Sequence, residues 1–330
     1  MSLLQPARKE GKVFVNPIPT AQTTEPMWKI MGQMLFTSAE RVPKVPLGPF
    51  RTDVSVYSKP PASGLRVTWI GHSSLLIEID GKRILTDPVW GDRASFVSWA
   101  GPKRFFAPPM ALSDLPALDA IILSHDHYDH LDYPTIKNLT HQGTPIFCSL
   151  GVGPIIEKWG IAKSRITELN WMDTAMVGDL SITATPARHF TGRGLHNRNQ
   201  TLWSSFVIKG NKHNIFFGAD SGFFPGFKEI GDRFGPFDLT MLEIGAYGNG
   251  WPDIHMGPDN AANAHLALRG KLMLPIHWGT FNLALHAWRE PVERLQGYAA
   301  ERNISLVLPE PGKPTEITGA HNSHWWEKNP

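Results

Sequence analysis

One short loop concentrates side chains that can bind metal. Shortly after the apolar run 121–123, six residues contain His125, His127, Asp129 and His130. Unpaired imidazoles and carboxylates are costly to bury, so a cluster of this density indicates a metal site. In an extended segment His125 and His127 project to the same side, whereas Asp129 and His130 follow a turn and can face a second ion. The loop therefore predicts a two-metal hydrolytic centre.

Three further candidate ligands each follow an apolar, strand-like run. The runs 180–185, 214–217 and 271–276 lead to His189, Asp220 and His277. Loops at the ends of rigid strands can converge on one site, so these residues are expected to complete the ligand set. Imidazole and carboxylate suit two zinc ions, although manganese or iron would accept the same ligands. Two such ions activate a shared water as a hydroxide nucleophile.

The order of these residues resembles the ligand pattern of the metallo-β-lactamase superfamily, with its His-x-His-x-Asp-His loop and later His, Asp and His. The resemblance implies an α/β (α+β) fold, a four-layer αββα sandwich of two mixed sheets with helices on the outside. It also implies three ligands for each ion and a shared aspartate. One ion would be held by His125, His127 and His189, the other by Asp129, His130 and His277, and Asp220 would bridge them.

The pattern of elements along the chain is consistent with this expectation. Hairpin-like strands over 65–86 are followed by alternating strands and helices, and the same order then repeats. This repetition favours two packed sheets with outer helices. We expect an N-terminal extension over 1–64 packed on a hydrolase domain over 65–330. Within the extension, the apolar stripe of 26–36 predicts a helix that either packs on the body or faces a membrane.

Longer motifs resemble one branch of the superfamily, the N-acyl-phosphatidylethanolamine-hydrolysing phospholipases D. They include WIGHSS from Trp69, GPKRF from Gly101 and IHWGTF from Ile276. This resemblance implies a phosphodiesterase that releases phosphatidic acid and an N-acylethanolamine. Glu243 departs from the branch, which has an apolar residue or proline at that position. The alternative is a cytosolic, metal-dependent hydrolase of a small soluble metabolite, similar to the sugar-phosphate lactonases.

Further residues have expected roles near the metals. We expect Asp129 to be catalytic as well as metal-binding, and His255 to contact the phosphate or protonate the leaving group. Asp87 is expected to orient a ligand histidine. His72 would line the same cavity or serve the strand turn. Tyr247 is expected to contact the substrate or support a ligand.

Composition excludes some classes of protein and favours others. The formal charge of +2 is too small to indicate a nucleic-acid binder. Residues 1–10 do not resemble a signal peptide, and no run of about 18 apolar residues could span a membrane. A cytoplasmic protein is expected, with peripheral contact at the inner membrane surface and a phospholipid or other small molecule as substrate; a homodimer is left open.

Two side chains and one segment complete the predictions. Cys148, the only cysteine, is expected to be a buried strand residue. Asp126 is expected to be solvated. The aromatic and basic segment 96–106 would either guide a lipid to the site or pack as an ordinary loop.

Overall fold

The computed structural model describes residues 2–26, 28–29, 32–33, 39–139, 143–194 and 196–328. Most of the apolar stripe predicted at 26–36 lies outside these residues, namely Met27, Ile30, Met31, Met34, Leu35 and Phe36. Of the described residues in that segment, Trp28 is helical and its side chain is 75% exposed. Among the described residues, no helix combines the length and the apolar character needed to cross a bilayer.

Two large mixed sheets form the body of the protein, beside a small hairpin of β1 (Lys9–Glu10) and β2 (Val13–Phe14). The first sheet has the order β16-β3-β4-β5-β6-β7-β8. Its strands are β3 (Leu65–Gly71), β4 (Ser74–Ile79), β5 (Lys82–Thr86), β6 (Ala120–Leu123), β7 (Ile146–Ser149), β8 (Ile166–Leu169) and β16 (Thr315–Glu316). The β5-β6-β7-β8 pairs are parallel and the others antiparallel.

The second sheet has the order β17-β15-β14-β13-β12-β11-β10-β9. Its strands are β9 (Thr174–Val177), β10 (Leu180–Thr185), β11 (Ser205–Lys209), β12 (Asn214–Phe217), β13 (Phe237–Glu243), β14 (Gly270–Ile276), β15 (Ser305–Leu308) and β17 (His321–Asn322). Strands β9 to β12 pair antiparallel, and the pairs from β12 to β17 are parallel.

Alternating side chains along the strands show how the layers stack. In β4, Leu75 and Ile77 enter the core shared with the second sheet, whereas Leu76 joins a separate core on the other face. That second core contains Ile136 and Ile156 from two helices of the first half. Because successive strand side chains point to opposite faces, one sheet contributes to both cores.

Among the residues that the structure describes, five α-helices cover the two sheets. They are α1 (Tyr133–Asn138), α2 (Gly153–Lys158), α3 (Gly226–Phe234), α4 (Gly257–Ala267) and α5 (Glu290–Arg302). Helix α1 begins at Tyr133, because the Asp132 carboxylate caps it and a proline follows within the first turn. The predicted αββα sandwich is thereby confirmed, with helices on the outer faces of two mixed sheets.

The N-terminal extension contacts the body at several points. Glu229 of α3 accepts hydrogen bonds from Ser2 and Leu3, and Thr24 bonds to the backbone of Gly250. Asn16 exchanges two hydrogen bonds with the backbone of His189, a predicted ligand. The boundary at residue 64 remains a prediction.

Candidate metal centre

The loop after β6 turns between the two halves of the ligand motif. The backbone N–H of Ser124 donates to Oδ1 of Asp87 at 2.7 Å, which fixes the start of the loop. The N–H groups of His130 and Leu131 then donate to the carbonyl of His127, at 3.1 and 2.8 Å. This turn separates the first pair of predicted ligands from the second.

Three imidazole nitrogens converge in the first group. His125 Nε2 lies 2.9 Å from His127 Nδ1, and His189 Nε2 lies 3.3 Å from the same atom. Asp220 Oδ2 is 3.9 Å from His125 Nε2 and 3.6 Å from His189 Nε2. The ligand atoms of these four residues all lie within 4.8 Å of one another. Three nitrogens and one carboxylate oxygen form a donor set suited to zinc or a related divalent ion.

The second group lies against the first. Asp129 Oδ2 is 3.7 Å from His130 Nε2 and 3.4 Å from His277 Nε2. Asp220 reaches this group too, because its Oδ1 is 3.1 Å from His130 Nε2 and its Oδ2 is 3.1 Å from His277 Nε2. His72 Nε2 lies 2.9 Å from Asp129 Oδ2, so His72 joins the group. The structure brings all seven predicted ligands together, and Asp220 adjoins both groups.

Outward-facing nitrogens hold three of the histidine rings in place. Their partners are Ser124 Oγ for His125 (2.9 Å), Asp87 Oδ2 for His130 (2.8 Å) and the carbonyl of Ile254 for His189 (2.9 Å). Such partners orient a ligand ring and select the nitrogen that faces the metal. In all three rings the remaining nitrogen is Nε2, and it faces the cluster.

Unpaired buried atoms test whether these residues fit a cation. Nε2 of His130, Nε2 of His277 and Oδ1 of Asp220 are buried and have no hydrogen-bond partner. Buried polar atoms are nearly always paired, because an unpaired one loses its hydration without compensation. These three atoms face one another within the cluster, so the donor set fits a bound cation.

The electrostatics of the cluster also favour positive charge. Burial opposes protonation of His130, but Asp220 and Asp129 outweigh it, and the pKa of His130 is held well above its ordinary value. The same balance raises the pKa of His277 to about 10. Burial would raise the pKa of both aspartates, yet His130 and its neighbours hold it well below its ordinary value. The carboxylates therefore stay ionised although the cluster is largely buried.

Left-handed backbone conformations accumulate at the site. The φ angles of His72, Asp87 and His277 are +54°, +35° and +61°. Such conformations cost non-glycine residues about 1–3 kcal/mol each and persist where the surroundings impose them. Here the N–H of His277 donates to the carbonyl of His72, and the N–H of His72 donates to Thr280 Oγ1. His72 therefore serves the strand turn and lies beside the cluster, but it is not among the residues that line the cavity opening onto the two groups.

A cavity of about 570 Å³ opens onto the two groups. The cluster contributes His127, Asp129, Asp220 and His277 to its lining, and His255 lies beside them. The remaining lining is largely apolar, with Phe190, Trp251, Ile254, Leu283, Ala94 and Ala246, and it includes Arg198, Gln22 and Thr23. The last two belong to the N-terminal extension, so this segment forms part of the wall.

His255 is held by a partner that the sequence did not identify. Its Nδ1 lies 2.6 Å from Oε2 of Glu243, a completely buried carboxylate at the end of β13. The sequence marked Glu243 only as a departure from the resembling branch. A charged residue directly after the apolar pair Met241 and Leu242, at the end of a buried strand, was the available signal, because such a residue needs a partner nearby.

Two other predicted residues have different surroundings. The hydroxyl of Tyr247 donates to Glu290 at 2.6 Å, and its ring stacks on His286. Its role toward substrate or ligand remains a prediction. The expectation that Asp126 is solvated was wrong: the side chain is buried and accepts a hydrogen bond from the N–H of Gly192 at 2.8 Å. It therefore connects the ligand loop to the chain that follows His189.

Comparison with known proteins agrees with this geometry. Residues 82–278 match the family described as "Beta-lactamase superfamily domain". The chain is 44% identical over 329 residues to the uncharacterized protein Rv0906 of Mycobacterium tuberculosis, covering 97% of this chain and 87% of that protein. It is 40% identical over 247 residues to N-acyl-phosphatidylethanolamine-hydrolyzing phospholipase D 1 of Caenorhabditis elegans, covering 71% of this chain and 69% of that one.

Solved structures show the same fold at low identity. The metallo hydrolase Igni18 from Ignicoccus hospitalis superposes with a TM-score of 0.59 at 22% identity, over 76% of this chain and 97% of Igni18.

Proposed function

This chain belongs to the beta-lactamase superfamily and is a metal-dependent hydrolase, and from this premise we propose that it is a phosphodiesterase of the phospholipase D type. Its substrate would be N-acyl-phosphatidylethanolamine or a related glycerophospholipid. The observation that carries the proposal is the cavity, which has apolar walls and a polar cluster exposed within it. The phospholipase of Caenorhabditis elegans, to which this chain is similar, supports the substrate class.

The lining of the cavity suits an amphiphile better than a sugar phosphate. Phe190, Trp251, Ile254 and Leu283 offer apolar surface, and the indole N–H of Trp251 already donates to a backbone carbonyl. The lining also contains the side-chain hydroxyls of Thr23 and Tyr128, but both donate to backbone carbonyls, which leaves the amide of Gln22 as the uncharged polar group of the wall. Binding sites of this kind place few polar groups within mostly apolar walls. An acyl or glyceride chain would lie along the walls while the phosphodiester meets the cluster. Arg198, whose guanidinium lies over the ring of Phe190, adds positive charge near the phosphate.

The residues that would hold the metals are those of the two groups. His125, His127 and His189 would bind one ion, Asp129, His130 and His277 would bind the other, and Asp220 would contact both. When bound, two divalent cations supply Lewis acidity to the phosphoryl oxygens and lower the pKa of coordinated water. Zinc is the metal that we propose on ligand type, with manganese or iron as substitutes.

Two residues would move protons. Asp129 lines the cavity within the second ligand group, and in this proposal it would orient the attacking water and accept its proton. His255 stands beside the cluster, on the wall of the cavity, and would protonate the oxygen of the departing headgroup. Positioned acids and bases of this kind accelerate reactions about 10²- to 10⁴-fold.

An exposed aromatic loop suggests how a lipid would reach the cavity. Phe96 and Trp99 are each 79% exposed, and they follow Ala94, which lines the cavity. The ring of Phe96 lies 6.2 Å from that of Tyr128, another lining residue. Exposed apolar groups at the mouth of a site typically mark contact with a membrane or partner. We therefore propose peripheral contact with a lipid surface through this loop.

The test is a headgroup-release assay. Purified protein would be incubated with N-acyl-phosphatidylethanolamine in mixed micelles, with and without a chelator, and with zinc, manganese or iron added back. We expect metal-dependent release of phosphatidic acid and an N-acylethanolamine, and no turnover by His125→Ala. Turnover of a water-soluble lactone without any cleavage of phospholipid would overturn the proposal.

A further inference from the structure

Glu243 forms a buried pair with His255 that the ligand pattern does not require. The carboxylate is completely buried, and both of its oxygens are committed. Oε2 lies 2.6 Å from Nδ1 of His255, and Oε1 accepts a hydrogen bond from the N–H of Ser221 at 2.6 Å. Since Ser221 follows Asp220 directly, the carboxylate is fixed between the backbone of the metal cluster and the histidine ring.

The His255 ring lies where it could take part in the reaction. His255 lies in the segment between β13 and α4, and its ring centroid is 5.0 Å from that of His189 and 5.4 Å from that of His277. It also lines the cavity. If Nδ1–H donates to Glu243, Nε2 is the nitrogen left for the substrate. A carboxylate acceptor selects this tautomer, because it can accept a hydrogen bond but cannot donate one while ionised.

We propose that Glu243 is a positioning residue, which fixes the ring orientation and tautomer of His255 so that Nε2 faces the leaving-group oxygen. This inference rests on the proposed function, in which His255 is the proton donor. In that step water adds its hydroxyl to phosphorus and gives a proton to Asp129. The bond from phosphorus to the headgroup oxygen breaks, and that oxygen takes the Nε2 proton of a His255 ring that enters the step protonated on both nitrogens. The ring leaves the step neutral, with its Nδ1–H still donated to Glu243. Exchange with solvent then restores both groups.

Glu243 departs from the resembling branch at this position, so the device would not be a general feature of that branch. A competing role exists, because ligand atoms of Glu243, His255, Asp220 and His277 lie close enough to hold an ion themselves. The two hydrogen bonds of Glu243 favour positioning instead, since they satisfy its oxygens without a cation.

The first test distinguishes a loss of proton donation to the leaving group from a structural disturbance of the whole active site. Glu243→Gln and wild type would be compared on two phosphodiesters, a phospholipid with an alkoxide leaving group and bis(p-nitrophenyl) phosphate, whose leaving group needs no proton. We expect kcat on the phospholipid to fall about 100-fold and kcat on the aryl ester to fall less than about threefold. His255→Gln should show the same split, and the double variant should lose little more than either single one.

The matched control is Glu168→Gln. The carboxylate of Glu168 also accepts backbone N–H bonds, from Gly151 and Gly153, but it has no histidine partner among its hydrogen bonds. It should leave both rates unchanged. If Glu243→Gln lost the same factor in kcat on both substrates, Glu243 would have a structural role and the proposal would be wrong. If elemental analysis showed that the variant had lost bound metal, Glu243 would be a metal ligand and the proposal would also be wrong.

The second test does not depend on turnover. Nitrogen NMR of histidine-labelled, metal-loaded protein would report the tautomer of His255, assigned by the signal missing from His255→Gln. We expect a proton on Nδ1 in wild type and a changed Nδ1 signal in Glu243→Gln. An unchanged signal would overturn the inference even if the enzyme were active. If wild type cleaved only the aryl ester, the phospholipase proposal would fail, and the NMR result would still decide the role of Glu243.

Discussion

Asp87 and His130 form a completely buried pair, in which Oδ2 of the carboxylate lies 2.8 Å from Nδ1 of the imidazole. The same carboxylate accepts the backbone N–H and the hydroxyl hydrogen bonds of Ser124, at 2.7 and 2.6 Å. Asp87 lies on the short link after β5 and Ser124 follows β6, so one side chain joins two neighbouring strand ends. The pair holds the Nε2 atom of His130 toward the cluster.

Removing this carboxylate should weaken metal binding without unfolding the sheet. In Asp87→Asn the amide can still accept from Ser124 but no longer carries the charge that holds His130. We expect the affinity of one metal to fall about 10- to 100-fold, as is usual when a partner of a ligand histidine is lost. Competition with a chromophoric chelator would measure it. Asp119→Asn, which alters a carboxylate bonded to Lys82 and to the backbone of Arg83, is the control and should bind both metals normally.

Substitutions in the exposed aromatic loop should weaken binding to lipid surfaces without affecting the hydrolysis of a soluble substrate. We expect Phe96→Ser and Trp99→Ser each to weaken binding to phospholipid vesicles about tenfold, since burying one aromatic side chain contributes about 1.5–3 kcal/mol. Hydrolysis of a soluble aryl phosphodiester should be unaffected. Vesicle sedimentation and the two activity assays would measure the difference. Met176→Ser removes another exposed apolar side chain, on β9, and should change neither property. Equal binding by all three variants would contradict a role for the loop.

The ligand set could be predicted from sequence because its chemistry is local. His125, His127, Asp129 and His130 lie within one loop, and each later ligand closely follows an apolar strand. Rigid strands fix the starting points of the loops that follow them, so loops from strands of both sheets could be expected to converge on one site. The apolar runs 180–185, 214–217 and 271–276 also agree with strands β10, β12 and β14 to within one residue.

Elements with weak apolar patterns were missed. Strands β8 and β9 expose half or more of their residues at the sheet edges, so they carry little alternation. Helix α3 contains Gly231, which lowers helix propensity. A Cβ at Gly231 would lie 2.2 Å from the carbonyl of Ala267, so glycine is needed where α3 and α4 approach. A requirement set by a neighbouring helix cannot be seen in the local sequence.

Long-range partners were also beyond sequence reasoning. The pairs Glu243–His255 and Asn16–His189 are 12 and 173 residues apart, and no periodicity connects their members. Asp126 was expected to face solvent because it alternates with the ligands. It instead bonds to Gly192, which only the folding of two loops against each other brings near. The metal ligands could be predicted from the sequence, whereas the residues that hold those ligands in place are brought near them only by the packing of loops.

Stability should depend on pH through His265 of α4. This side chain is 2% exposed and lies 2.8 Å from Thr240 Oγ1, and burial lowers its pKa to about 4. In the unfolded chain the pKa of His265 is about 6.5. Between about pH 6.5 and pH 4 the unfolded chain therefore binds more protons at this residue than the folded chain does. Stability from this residue is therefore complete above pH 6.5 and falls toward pH 4, by up to about 1.4 kcal/mol per unit.

Replacing His265 should remove this part of the dependence. Urea unfolding of wild type and His265→Gln at a series of pH values would give the difference in free energy of unfolding, in which the other titrating groups cancel. As the pH falls from 6.5 to 4, we expect the free energy of unfolding of wild type to decrease relative to that of His265→Gln. A difference that is constant with pH would show that His265 does not titrate in this way.

Asn16 should couple the N-terminal extension to metal binding. Its Nδ2 donates to the carbonyl of His189 at 2.7 Å, and the N–H of His189 donates to its Oδ1 at 3.0 Å. The amide therefore holds the backbone of a predicted ligand from both sides, as a neighbouring strand would. In Asn16→Ala both backbone groups lose their partner, which should cost about 1–3 kcal/mol of stability. The larger effect should appear in the metal-loaded protein, since ligand placement is lost as well.

Thermal unfolding with and without metal would measure that coupling. The stabilisation that metal gives should shrink in Asn16→Ala, because binding to the folded state raises stability by an amount that grows with the logarithm of the affinity. Asn214→Ala is the matched control: its Nδ2 also makes two hydrogen bonds, to the carbonyls of Phe234 and Pro236, away from the predicted ligands. It should lower the stability of both forms equally. If Asn16→Ala behaved in the same way, the extension would support the fold alone and not the metal site.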